Sequence, residues 1–258
     1  MKKKILIAIS LLLISTALLS NEFSFRKYQH VRQFYKEICD DVIDIAIKHH
    51  VPPAAVMAIA GLESGYGSGY VAQITGNILS LGAFKGENQL PSLYLPYSKS
   101  KRKVIFDSNE IKQCDTSDLK WKQRDKSLKK DYRPNSYAGT TKNLSLLLND
   151  KKLKEQALKA CVNDFVSKWI TISSKVKVFK DARNWLESKV ANFGIEILFD
   201  EDVNKKFISM IGGHPHSFNY RETWPKKVQL IMYKTGLVKL SSDIYMGRKS
   251  FNDAWSNK

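Results

Sequence analysis

The sequence is poor in cysteine and in acidic residues, and it has only one long apolar run. Its three cysteines, Cys39, Cys114 and Cys161, lie far apart and lack metal-ligand spacing, so no thiolate metal site is legible. One disulfide with a thiol left over and three buried thiols are both open. A second apolar run of membrane length is missing, which excludes a multi-pass membrane protein. No internal repeat, heptad run or low-complexity linker occurs. No nucleophile elbow, phosphate-binding loop or dinucleotide fingerprint occurs either. Acids number 25 against 42 Lys and Arg, giving a formal net charge of +17. That imbalance points to a polyanionic partner: nucleic acid, an acidic membrane surface or an anionic cell-wall polymer. The 258 residues suit one large domain or two small ones. Aromatics at 11% are too abundant for a disordered chain.

The N-terminus narrows the partner. Lys2, Lys3 and Lys4 precede an apolar stretch of about fifteen residues, Ile5 to Leu19, with small Ser15, Ala17 and Ser20 near its end. This pattern predicts a cleavable secretory signal over residues 1–20. The alternative is an uncleaved anchor, although the stretch is short of the roughly twenty apolar residues a spanning helix needs. No cysteine follows the run, which argues against a lipoprotein. Removing three lysines with the leader leaves a strongly basic mature chain. An exported basic protein meets anionic envelope polymer rather than nucleic acid.

Helical periodicity dominates the rest. Val31, Phe34, Ile38, Val42 and Ile45 recur at spacings of three and four, predicting an amphipathic helix over about Tyr28 to His49. Pro52 and Pro53 break it, and proline is accepted in the first turn of a following helix. Ala54 to Leu62 is apolar all round, the mark of a helix buried on every side. Gly65, Gly67 and Gly69 then stop it. Between residues 76 and 133 glycine and proline recur and the helical period disappears. Val104 to Phe106 reads as a short strand in a loop-rich lobe with a small sheet. Further helices are expected from Thr140 or Thr141 to about Asn149, over Leu153 to Ile170, and over Asp181 to Phe193. A last helix is expected after Thr223, with Gly236 just past its end. A cleft between a helical lobe and a small β-containing lobe is a natural polymer site.

Glu63 is the leading catalytic candidate. It ends a run, Val51 to Leu62, that contains no charged residue. Burial beside such a run disfavours the charged form of a carboxyl group. A carboxylic acid that keeps its proton is what glycoside hydrolysis requires of its general acid. The glycines that follow allow close approach of backbone and sugar, and Tyr66 and Tyr70 can stack on sugar rings. The competing reading is a solvated acid at a helix end.

The string Ala58-Ile59-Ala60-Gly61-Leu62-Glu63-Ser64-Gly65-Tyr66-Gly67-Ser68 resembles the active-site motif of bacterial peptidoglycan N-acetylglucosaminidases of the flagellar-muramidase and autolysin type, a glycoside hydrolase family 73-like group. Tyr66 stands where that motif usually has tryptophan. The segments Gly76–Lys85, Tyr132-Arg133-Pro134-Asn135-Ser136-Tyr137, and Asn219-Tyr220 to Leu237 resemble the family's later segments in the same order. The likeness spans roughly residues 30–240 of a single domain placed at 21–258. It implies a mainly α (α+β), lysozyme-like fold: a helical lobe and a small β lobe flanking a substrate cleft. It implies Glu63 as general acid, with Ser64, Tyr66, Tyr70 and Asn77 as substrate-binding residues. A second acid is expected in the β lobe, with Glu110 favoured over Asp107 and Glu87. Alternatively, the substrate's own 2-acetamido group attacks the anomeric carbon. Tyr137 would assist by hydrogen bonding near the reacting sugar.

The implied activity is exported cleavage of β-1,4 linkages in peptidoglycan, without cofactor or metal. The rivals are a lytic transglycosylase and a non-catalytic wall-binding protein. His214-Pro215-His216 resembles a metal-binding pair, but no nearby cysteine completes a ligand set. His49-His50 is explained by a helix end, where the dipole favours a cation. The Lys120 to Lys130 segment contains Trp121 and invites a nucleic-acid reading. The leader argues against that reading and for attraction to anionic wall strands.

Overall fold

In a computed structural model, which describes residues 23–257, helix α1 (Gln29–Lys48) buries Val31, Phe34, Tyr35, Ile38, Cys39, Val42, Ile43, Ala46 and Ile47 along one face. The amphipathic pattern therefore sets its orientation. The leader expected over residues 1–20 lies outside the described residues. After the proline break comes α2 (Pro53–Ser64), in which every residue from Pro53 to Gly61 is buried. Helices α1, α8 (Glu201–Ile211), α9 (Trp224–Thr235) and α10 (Leu237–Tyr245) all pack on α2. It is the axis of the helical lobe because it has no polar face to hydrate.

Burying a helix start leaves its first N–H groups without partners. Here Asn204 of α8, itself wholly buried, accepts from the Ala55 N–H at 3.0 Å. Asn204 in turn donates to the carbonyls of Leu198 and Asp200 at 2.9 and 2.8 Å. At the other end of α2, Gly65 takes a left-handed φ of 57° and the Tyr66 N–H returns to the Gly61 carbonyl at 2.9 Å.

A short helix, α3 (Tyr70–Thr75), leads to the β lobe. Its strands β1 (Leu93–Ser98), β2 (Lys103–Val104) and β3 (Leu119–Arg124) form an antiparallel sheet in the order β2-β1-β3. Between β2 and β3 lies α4 (Ser108–Gln113). The strand expected at Val104 to Phe106 is shorter and shifted: Ile105 and Phe106 lie beyond it and are buried. Leu93 and Leu95 turn inward with Ile74, Leu90 and Phe106 to make a second, smaller core beneath the sheet. The expected plan, mainly α with one small β-containing lobe, is what the structure shows.

Several helix boundaries differ from expectation. The helix expected from Thr140 is reduced to one turn, α5 (Leu146–Asn149). Arg133 takes the carbonyls of Thr140 and Lys142 at 2.8 and 2.9 Å, which holds that stretch as a loop. The next helix, α6 (Lys151–Asp164), starts at an Asp150 cap and ends in a π turn over Phe165–Trp169. Helix α7 (Lys177–Phe193) begins a turn earlier than expected. Helix α9 is not the last; α10 and α11 (Phe251–Ser256) follow it. All three cysteines are free thiols, with Cys39 and Cys161 buried and Cys114 half-buried. Among the described residues no helix is long and apolar enough to cross a membrane.

Candidate active site

The C-terminal turn of α2 sets Glu63 half-buried at the helical-lobe surface. Trp224, the first residue of α9 and only 3% exposed, donates its indole N–H to Glu63 Oε1 at 2.8 Å. The Trp224 ring lies so close to Gly212 that a Cβ there would sit 2.3 Å from it, so glycine is required at that position. Glu63 and Trp224 line an open concavity of about 180 Å³ with Leu62, Asn219, Arg221, Thr223 and Lys227. Glu63 is the one carboxylate among these lining residues, and two cations share the rim.

A third cation approaches from the β lobe. Lys129 donates to the Ser80 carbonyl. Burial pushes its ammonium pKa down, while the charge of Glu63 works in the opposite direction. An aromatic path also leads away from the site. Trp224 packs on Phe218 with centroids 5.5 Å apart, Phe218 on Trp169 at 6.5 Å, and Trp169 on Phe84 at 5.5 Å. Phe84 is 44% exposed, so the path opens to solvent at that end.

The other expected binding residues are not all gathered here. Ser64 is buried, donating to the Ala60 carbonyl at 2.6 Å and accepting from the Gly67 N–H at 2.8 Å, so it serves the end of α2. Asn77 is buried too. Its amide donates to the carbonyls of Leu81 and Lys130 at 2.8 and 2.9 Å, and its oxygen accepts from the Leu81 N–H at 2.8 Å. These contacts use its hydrogen-bonding groups to tie its own turn to the Lys130 segment. Tyr66 stands edge-on to Phe34 and Tyr35, and it lines a different concavity with His30 and Gln33. Burial raises its phenol pKa. Gly61 makes this packing possible, because a Cβ there would lie 2.5 Å from the Tyr35 hydroxyl. Tyr70 packs on the small β-lobe core under the Arg124 guanidinium, 5.3 Å from its ring centre.

The candidate second acids are all engaged. Glu110, on α4, accepts from Lys101 and Lys103, each at 2.9 Å, and these bonds hold its pKa below the usual carboxylate range. Asp107 caps α4, accepting from the Asn109 and Glu110 N–H groups. Burial acts to raise the Glu87 pKa, yet bonds from Lys130, the Phe84 N–H and Lys168 hold it low. Tyr137 is half-buried in the loop stapled by Arg133. His214 bonds to the backbone, at Met210 and Pro215. Among the described residues no cluster of three or more His, Cys, Asp or Glu is placed to hold a metal.

Sequence reasoning missed Trp224 as the hydrogen-bond partner of Glu63 and Lys129 as a charge that acts on it. A tryptophan in the first turn of a helix is the only local signal, and neither residue is near position 63 in the chain. No family model and no curated protein matches this chain. Among solved structures, the catalytic domain of the autolysin Auto from Listeria monocytogenes aligns over 82% of this chain and 87% of that one. The identity is 16% and the TM-score 0.45, a likeness too loose to support any inference about activity.

Proposed function

We propose that this chain is an exported glycoside hydrolase that cuts β-1,4 linkages of peptidoglycan on the N-acetylglucosaminyl side, with Glu63 as general acid. The supporting observation is Glu63 itself: one carboxylate at the end of a wholly apolar helix, half-buried in a rimmed concavity and held by an indole N–H. With Oε1 occupied as an acceptor, Oε2 is the oxygen that carries the proton to the leaving glycosidic oxygen. Arg221 and Lys227 suit the carboxylates that peptide-substituted glycan strands carry. Phe84 and Trp169 offer ring faces to neighbouring sugars.

As the glycosidic bond breaks, positive charge develops on the anomeric carbon. The 2-acetamido oxygen of the substrate attacks that carbon, and water then displaces it, returning a proton to Glu63. This route needs no second carboxylate, and Glu63 is the only acid among the residues lining the concavity. In the variant route Glu110 serves as the second acid. Tyr137 is assigned a hydrogen bond near the reacting sugar in either route.

The single carboxylate equally favours a lytic transglycosylase, in which the muramyl 6-hydroxyl replaces water. Digestion of purified peptidoglycan followed by mass spectrometry separates the readings. Reducing N-acetylglucosamine ends support the proposal, reducing muramic acid indicates a muramidase, and anhydro-muramic ends indicate the transglycosylase. Glu63→Gln is expected to bind wall and release nothing. If wild type also binds and releases nothing, the chain is a wall-binding protein.

A further inference from the structure

The lysine-rich segment carrying Trp121 has no part in the Glu63 concavity. It forms β3, paired to β1 in the register Pro96↔Trp121 and Tyr94↔Gln123. That register places Tyr94, Trp121 and Gln123 on one face of the sheet. Leu93 and Leu95 turn to the other face, into the small core. Tyr94 and Trp121 stack on each other with centroids 5.2 Å apart and planes 23° from parallel. They are 65% and 45% exposed. Scattered exposed apolar residues are ordinary, but these two rings stack into one apolar plate two rings thick, open at its edges and outer faces. The phenol, the indole N–H and the Gln123 amide supply hydrogen-bonding groups at its rim.

Within the strands the charge has one sign, while Asp118 and Asp125 flank β3. The three strands carry Lys103, Lys120, Lys122 and Arg124 and no acid. Lys103 is taken by Glu110. Lys120 and Lys122 are exposed; opposite Tyr97 and Leu95 in the register, they alternate with Trp121 and leave β3 on the other face of the sheet from the two rings. β3 is an edge strand, so their long stems can carry the ammonium groups round the edge to a polymer that overhangs it.

We propose that this plate is a second binding surface, which takes an anionic glycan strand. A pyranose face lies on an outer ring face of the Tyr94–Trp121 pair, and carboxylates of the strand reach Lys120 and Lys122 round the β3 edge. The identity of the occupant rests on the glycosidase reading. A wall polymer held on the β lobe keeps the enzyme at its substrate between cuts, raising the effective concentration at the Glu63 concavity. Aromatic rings among lysines also suit single-stranded nucleic acid. The exported, sugar-cleaving reading favours the glycan.

The test uses Glu63→Gln protein, so that wall is not consumed, and measures retention on insoluble peptidoglycan sacculi. Adding Tyr94→Ala and Trp121→Ala is expected to weaken retention about tenfold, and Tyr94→Phe with Trp121→Phe to restore it. Both side chains are exposed, so the thermal midpoint should not move. In the active chain, the same alanine pair should leave cleavage of soluble glycan oligosaccharides at the wild-type rate. Unchanged retention overturns the proposal. So does an equal loss on soluble oligosaccharides, which would put the pair inside the cleft, or tighter binding to a single-stranded oligonucleotide than to sacculi. Failure of the glycosidase reading shows separately: wild type would release nothing, while retention would still depend on the two rings.

Discussion

Replacing Arg133 by methionine removes the cation from a pair buried to 0% on both sides. In the folded chain Arg133 Nη2 donates to Asp131 Oδ2 at 2.6 Å, and Nε reaches both carboxylate oxygens at 3.1 and 3.2 Å. The same guanidinium holds the carbonyls of Thr140 and Lys142, and Asp131 also accepts from the Gly139 N–H at 2.9 Å. Methionine fills much of the volume but leaves Asp131 charged, dry and short of its main donor. Breaking a buried pair in this one-sided way costs about 3–5 kcal/mol. For a chain of this size each kcal/mol shifts Tm by roughly 2–4 °C, so a fall of roughly 6–20 °C is expected in a thermal melt followed by circular dichroism. Removing both partners with Asp131→Leu and Arg133→Met should cost less than Arg133→Met alone, because no charge is stranded. A single variant within about 2 °C of wild type, or a double variant worse than the single, would falsify the view that this pair holds the loop carrying Tyr137.

Trp224→Phe keeps an aromatic ring against Phe218 but deletes the donor to Glu63 Oε1. If Glu63 is the acid, kcat on peptidoglycan should fall about ten- to a hundredfold with little change in KM; unchanged kcat would leave that bond without a catalytic role. Asn204→Leu strands the Ala55 N–H inside the core and should lower stability by about 1–3 kcal/mol, read as a shifted urea midpoint. Glu87, Glu110 and Glu187 have folded pKa values held below their ordinary ones by Lys130 and Lys168, by Lys101 and Lys103, and by His50 and Arg183. Such groups stabilise the fold fully above the unfolded carboxyl value of about 4.3, and that stabilisation is lost as pH falls through the folded values. The urea midpoint should therefore drop between about pH 5 and pH 3, and a midpoint that rises across that range would contradict these ion pairs.

The helical lobe was legible in the pattern of its residues. The spacing of Val31, Phe34, Ile38 and Val42 fixed the inward face of α1, and the charge-free run from Val51 to Leu62 made α2 a helix with nowhere to sit but the centre. Those are local facts, set by the 3.6-residue period and by hydration. The position of Glu63 at the end of that helix followed from the same string. The sheet was harder to read, because Pro96 and the lysines of β3 hide its alternation, and strand pairing depends on a partner more than twenty residues away. The surroundings of Glu63 come from distant parts of the chain and were not legible in the sequence. Trp224 arrives from 161 positions along the chain to bond Glu63, and the charge of Lys129 is brought near it from the β lobe. Tertiary structure also supplied the packing and backbone partners of Ser64, Tyr66 and Asn77. Their neighbours are supplied by folding, and no periodicity in the sequence records where a hydrogen-bonding group will find its partner.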